Sequence, residues 1–290
     1  MQRRRCFIIR IVVDSTCDLP QAFAEEYGIV TLPLHVLVEQ TDYLDRVTIT
    51  TEEVYACMRQ GILPKTSQVG VTDTYHTLKA LAEKGEDLLC LAFSSKMSGT
   101  CALISRVMDE LKALYPERRL LTLDSKGGSF ATGLIAMEAA RAARAGVAFD
   151  GLEQRCRFLI DHVEHVFVIN DLNWMIRGGR ISKTMGYTAN LLDIKPVLHV
   201  NDGEMEVIFK VRGRIHAMKK VADTLMERIV RCPKQIVGIT HASDLPAAEK
   251  MKELLQARLP GCEFLIEEIG AALGVHLGIG GVGVFAFNEK

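Results

Sequence analysis

A chain of 290 residues with 48% hydrophobic and 24% charged side chains is composed as a globular protein and is long enough for two cores, on a prior of about 150 residues per domain. Its formal net charge is -1 and its most obvious basic cluster is Arg3-Arg4-Arg5, which speaks against a nucleic-acid-binding face. The eight cysteines form no C-x-x-C pair and Cys90 lies inside an apolar run, so they read as reduced thiols in a cytoplasmic protein. Arg10 and Asp14 interrupt the apolar stretch after the arginines, which excludes a signal peptide or spanning helix there.

Phe7 to Val13 is predicted to be a strand ending in Asp14-Ser15-Thr16, after which Asp18 is placed to cap a helix with Pro20 in its first turn. Ile29 to Val38 has strand character, and Pro33 puts it at an edge or interrupts it. Thr50 and Glu53 have capping-box spacing and open a helix that stops near Gly61. Pro64 to Gln68 reads as an extended polar turn, and Asp73 to Lys84 as a helix. Leu88 to Phe93 is unbroken apolar sequence of strand length, the pattern of a parallel strand covered on both faces. The turn Ser94-Ser95-Lys96-Met97-Ser98-Gly99-Thr100 follows, and then apolar residues at helical spacing from Leu103 to Leu114. Arg119 to Leu123 is another strand, ending in Asp124-Ser125, and Gly127-Gly128 leads into an alanine-rich helix reaching Ala145.

Strand and helix thus alternate in the first half, the signature of a parallel sheet with right-handed crossovers. Three strands end in hydroxyl-bearing tips, and open parallel sheets bind ligands outside such ends, so one crevice could collect Ser15-Thr16, Ser94-Ser95 and Ser125. The free NH groups of the helix starting near Thr100 would suit an anion; a ligand-free Ser/Thr cap explains the turn equally well.

From Gly151 the pattern changes to a helix, a short strand over Val166 to Asn170, a helical turn broken at Gly178-Gly179 and a helix from Arg180 to Leu192. Asn201-Asp202-Gly203 between Lys195 to Val200 and Glu204 to Val211 is a strong hairpin signal. Helices over Ile215 to Val230 and Ala247 to Arg258 alternate with strands over Gln235 to Thr240 and Glu263 to Ile269; a glycine-rich segment and a strand over Val284 to Phe287 follow. The expected architecture is therefore α/β in two domains: residues 1–160 on a parallel sheet bearing the hydroxyl-rich tips, and residues 161–290 with antiparallel strands.

Gly278 to Gly283 matches G-x-G-x-x-G by letter but runs into a strand, so a tight backbone path is the better reading than a nucleotide site. His162 and His165 lie three apart on an expected helix beside Asp161 and Glu164, which reads as a solvated helix end rather than a metal site. Gly127 to Ala131 misses the G-x-S-x-G elbow at its last position. Arg180 after Gly178-Gly179, and His276 between Gly274 and Gly278, have a permissive backbone from which to aim at a ligand. These residues alone give a two-domain protein with an anion-receiving crevice between its halves.

Taken in order, Asp14-Ser15-Thr16, Thr66-Ser67-Gln68, Ser94-Ser95 with Ser98-Gly99-Thr100, Asp124-Ser125-Lys126, Gly178-Gly179-Arg180-Ile181, Lys195-Pro196, and His276 with Gly278 resemble the DegV family of bacterial fatty-acid-binding proteins, over nearly the whole chain. The resemblance implies a long-chain fatty acid as ligand between the domains, no cofactor or metal, and no catalysis by the chain itself. It implies that Thr66 and Ser95 hold the carboxylate, with Ser94 adjacent and Arg180 and His276 contributing from the second domain. It further implies a separate fatty acid kinase as partner, which phosphorylates the carboxylate for phospholipid metabolism, and allows transient membrane contact. Lys96 stands where the family's turn has glycine, and Val69 where proline commonly follows Thr-Ser-Gln. Two other readings stay open: a serine acyl hydrolase using Ser95 or Ser129 with His276, and a phosphate-binding protein using the strand tips, where Asp14 and Asp124 would repel phosphate without a metal.

Overall fold

The computed structural model describes residues 8–181 and 193–290. The arginine cluster, Cys6 and Phe7 lie outside the described residues, as does the expected helix over Arg180 to Leu192 beyond Ile181.

The first half runs β1 (Ile9–Asp14), α1 (Gln21–Tyr27), β2 (Val30–Leu32), β3 (His35–Val38), β4 (Thr41–Leu44), α2 (Thr51–Arg59), β5 (Lys65–Ser67), α3 (Val71–Glu83), β6 (Asp87–Ala92), α4 (Thr100–Leu114), β7 (Leu120–Asp124) and α5 (Ser129–Arg144). Four of these strands form an all-parallel sheet of order β2-β1-β6-β7. As its apolar run predicts, β6 is buried throughout: Leu89 and Leu91 face α5, whereas Leu88, Cys90 and Ala92 face the core of α3 and α4. Strand order reverses between β1 and β6, where the Phe93 NH donates to the Asp14 carboxylate at 2.7 Å.

Pro33 does interrupt its segment. The chain leaves the parallel sheet there and builds a small antiparallel sheet, β4-β3-β5, in which the expected polar turn around Thr66 becomes a strand paired to Val36. The capping box at Thr50 and Glu53 is present. Asp18 is not a helix N-cap, because it takes the left-handed conformation and turns its carboxylate inward; α1 starts at Gln21, with Pro20 at the N-cap position and no side-chain cap.

The second half runs α6 (Phe149–His162), β8 (Val163–Val168), α7 (Asn173–Arg177), β9 (Ile194–Asn201), β10 (Glu204–Arg212), α8 (Arg214–Arg228), β11 (Ile236–His241), α9 (Leu245–Gln256), β12 (Glu263–Glu268), α10 (Ala271–Leu277) and β13 (Val282–Phe287). Its sheet has the order β10-β9-β8-β13-β11-β12. All neighbours are antiparallel except β11 and β12, so the sheet is mixed. The β9–β10 turn has positive φ at both Asp202 and Gly203, as a tight hairpin requires.

Alternation sorts this sheet's two faces. Val166, Val168, Val197, Ile239 and Val284 pack against α8 and α9. The opposite face, with His165, Phe167, Thr240, Gly283 and Phe285, turns toward the carboxyl edge of the parallel sheet and toward α5. Contact is close where Gly238 of β11 meets Phe130 of α5: a Cβ at Gly238 would lie 2.3 Å from that buried ring. A fourth cluster ties Val36, Val54, Tyr55 and Met58 to Ala271 and Val275 of α10, a helix within the segment expected only to be glycine-rich.

Candidate functional site

A cavity lies between the inner face of the mixed sheet and the tips of the parallel sheet. Its walls are mostly apolar, with Leu34, Phe93, Met97, Phe167, Ile169 and Met205 among them. At one corner the lining turns polar, with Thr66, Ser67, Ser98, Arg180 and His276.

Four remote parts of the chain build that corner, the turn before α4 giving Ser98. Strand β5 holds Thr66 against β3, α10 carries His276, and Arg180 follows the turn after α7. Thr66 Oγ1 and His276 Nε2 are hydrogen-bonded at 2.6 Å, across 210 residues of sequence. Gly178 makes room for the imidazole, since a Cβ there would lie 2.2 Å from Nδ1. Burial and the neighbouring Arg180 cation push the His276 pKa down to about 4, so the ring is neutral near pH 7. Arg180 is partly buried, and burial lowers its pKa. Among the described residues its guanidinium donates to the Met97 and Gly178 carbonyls, at 3.3 and 2.5 Å, and pairs with no carboxylate. A cation with no counterion among the described residues, next to a hydroxyl and a neutral imidazole, is an anion-receiving arrangement.

Thr66, Arg180 and His276 thus converge, whereas Ser94 and Ser95 do not line the cavity. Ser94 is buried and donates to the Gly203 carbonyl at 2.8 Å, pinning the β9–β10 hairpin to the turn. Ser95 is exposed, and its hydroxyl donates to Asp124 at the tip of β7. The serine this turn gives the cavity is Ser98. Lys96 reaches away to Asp202 at 3.1 Å, so a lysine in this position bridges to the hairpin. Val69 is buried in the core of α3 and α4.

The other strand tips serve the scaffold to differing degrees. Asp14 accepts from Thr16 and the Phe93 NH, and Ser125 donates to the Gly127 carbonyl. Thr16 and Ser129 do reach the cavity, but Ser129 donates to Asp18 at 2.6 Å. Asp18 also binds Arg46 and the Gly270 NH, and burial raises its pKa to about 6. Neither Ser95 nor Ser129 is hydrogen-bonded to His276, which weighs against the hydrolase arrangement.

His165 corrects another expectation. The helix ends at His162, and His165 is a strand residue, buried and paired in register with Phe285 on the cavity wall, not part of a solvated helix end. Among the described residues no group of three or more His, Cys, Asp or Glu could hold a metal ion, and no helix is long and apolar enough to cross a membrane.

A family model described as "Uncharacterised protein, DegV family" matches residues 8–289. The chain belongs to the DegV family. A DegV domain-containing protein of Clostridium perfringens is 33% identical over 284 residues, covering 96% of this chain and 97% of that protein. Among solved structures, a DegV family protein from Thermus thermophilus, described for its fatty acid binding, superposes with a TM-score of 0.88 at 27% identity, covering 97% of this chain and 99% of the other. DegV from Bacillus subtilis, described as a fatty acid binding protein, gives 0.86 at 26% identity with the same coverage. The fold expected from the DegV resemblance, a parallel-sheet half and an α/β half with antiparallel strands, is the fold found. Sequence reasoning missed Ser98 and His165 as lining residues. Their signals were present: Ser98 sits in the singled-out turn, and His165 alternates with Phe167 and Ile169, a strand period.

Proposed function

We propose that this chain is a non-catalytic carrier that binds a long-chain fatty acid in the cavity and presents its carboxylate to a separate fatty acid kinase. The observation that carries the reading is the joining of an apolar cavity to one corner where a guanidinium with no carboxylate partner among the described residues meets the Thr66–His276 pair. Two DegV relatives with the same fold, at 27% and 26% identity, are described as fatty acid binding.

Burying a methylene contributes about 0.8 kcal/mol, so a tail of about fourteen supplies about 11 kcal/mol gross. Hydrogen bonds to a charged carboxylate add only about 1.5 to 3 kcal/mol each. The tail therefore dominates affinity, while the corner fixes the carboxylate and discriminates acid from ester. If His276 donates its Nε2 proton to Thr66 Oγ1, the threonine O–H is left to donate to the carboxylate beside Arg180. Ser98 adds a hydroxyl from the same turn as Ser95, and Ser95 joins only by leaving Asp124. Ser67, Gln68 and Gly99 are exposed around the corner, which suits access by a second protein. Long-chain acids partition into bilayers, so loading implies transient contact with a membrane surface.

Mass spectrometry of the purified protein, native and then after solvent extraction, tests the reading. One equivalent of a long-chain fatty acid is expected; an empty protein that also takes up no added fatty acid overturns it. Turnover of a short acyl ester that His276→Ala abolishes would instead revive the hydrolase.

A further inference from the structure

The cavity has a further polar point, His165, on the inner face of the mixed sheet. Arg180 and His276 lie beyond the C-terminal end of β8 and before β13, the ends joined by the Val168–Val282 pair. His165 and its partner Phe285 are three residues back along those strands, about 10 Å from the Val168–Val282 pair at 3.3 Å per residue. The His165 ring lines the cavity and stands edge-on to Phe285, with centroids 5.9 Å apart. It is 5% exposed, and among the described residues neither ring nitrogen has a well-formed hydrogen bond, although the Val163 backbone lies close enough to favour the charged ring. Gly127 leaves the ring its space, since a Cβ there would lie 2.2 Å from Nε2. The ring also borders a polar pocket lined by Lys126, Asp161, His199 and Arg228, so it separates an apolar chamber from a polar one.

A wall meant only for hydrocarbon would place an apolar side chain here. Burial holds the imidazole neutral, so one nitrogen donates and the other accepts. We propose that His165 recognises a hydrogen-bonding oxygen partway along the acyl chain, so that the cavity accepts hydroxylated fatty acids. This deepens the carrier reading and rests on it. A hydroxyl carried into an apolar cavity without a partner loses its hydrogen bonds to water and weakens binding; His165 can accept from it or donate to it.

Oleate and ricinoleate, the same chain without and with a mid-chain hydroxyl, separate the two ideas. Wild-type protein is expected to bind them within about threefold of each other, while His165→Leu weakens ricinoleate relative to oleate by about tenfold, equivalent to about 1.4 kcal/mol. His165→Gln, which keeps a donor and an acceptor, should retain the wild-type ratio. Oleate affinity in each variant reports whether the cavity is intact. The inference is overturned if the ricinoleate-to-oleate ratio is unchanged in His165→Leu, or if the wild type rejects ricinoleate as strongly as that variant does. Failure of oleate itself to bind the wild type overturns the carrier reading, and this inference with it.

Discussion

The tips of the parallel sheet and the corner around Thr66 are both rich in polar side chains, but they use them in opposite ways. At the tips, Asp14, Ser94, Ser95 and Ser125 are engaged with backbone groups or with each other's neighbours, and they hold turns and the β9–β10 hairpin in place. At the corner, among the described residues, Arg180 has no counterion and the buried Nδ1 of His276 has no partner. Buried polar groups are normally satisfied, so unspent capacity marks where a ligand belongs better than hydroxyl content does.

That contrast breaks most directly under acid. His276 and His165 both have pKa values lowered to about 4 from 6.5, so the folded state resists protonation that the unfolded chain accepts. Their contribution is therefore full above about pH 6.5 and is lost as pH falls toward 4. Asp18, raised to about 6 from 3.8, acts with the opposite sign, since its proton is held by the folded state over that window. Comparing melting temperatures at neutral pH and near pH 4.5 should show a smaller acid loss in His165→Leu than in the wild type, because Asp18 is common to both. Equal losses would mean that the ring finds a partner when charged.

Removing the Arg180 cation comes next. Arg180→Met should weaken binding of a long-chain acid by about 1.5 to 3 kcal/mol and leave the methyl ester unaffected, as read by calorimetry. A smaller step is expected of Thr66→Val, about 1 kcal/mol for one hydroxyl, with the melting temperature little changed. Smallest should be Ser95→Ala, whose hydroxyl already belongs to Asp124: acid affinity should fall by less than in Thr66→Val. The reverse order would show that Ser95 abandons Asp124 for the carboxylate.

Much of the scaffold was legible because its signals are local. The apolar run of β6, the capping box at Thr50 and the Asn201-Asp202-Gly203 turn each specify an element within a few residues, and each is present. Asp18 was misread for the same reason: as a local cap it fits, but Arg46, Ser129 and the Gly270 NH, which hold it, are up to 252 residues away. The small sheet that carries Thr66 and the helix that carries His276 depend on packing between the two halves through Tyr55, Ala271 and Val275, which no short window reports. Residue typing could therefore suggest Arg180 and His276 as candidates, and only the fold brings them to Thr66.

Strand β13 occupies residues 282–287 yet pairs with β8 on one side and β11 on the other, in the interior of the mixed sheet. A nascent chain that has been synthesised through β12 therefore still has the facing edges of β8 and β11 bare, with the wall of the lipid cavity unfinished. Exposed strand edges recruit other strands, and long-range closures are slow. During synthesis this protein must spend an interval as a sticky, open half-sheet, and its demand on chaperones should peak just before those last strand residues emerge.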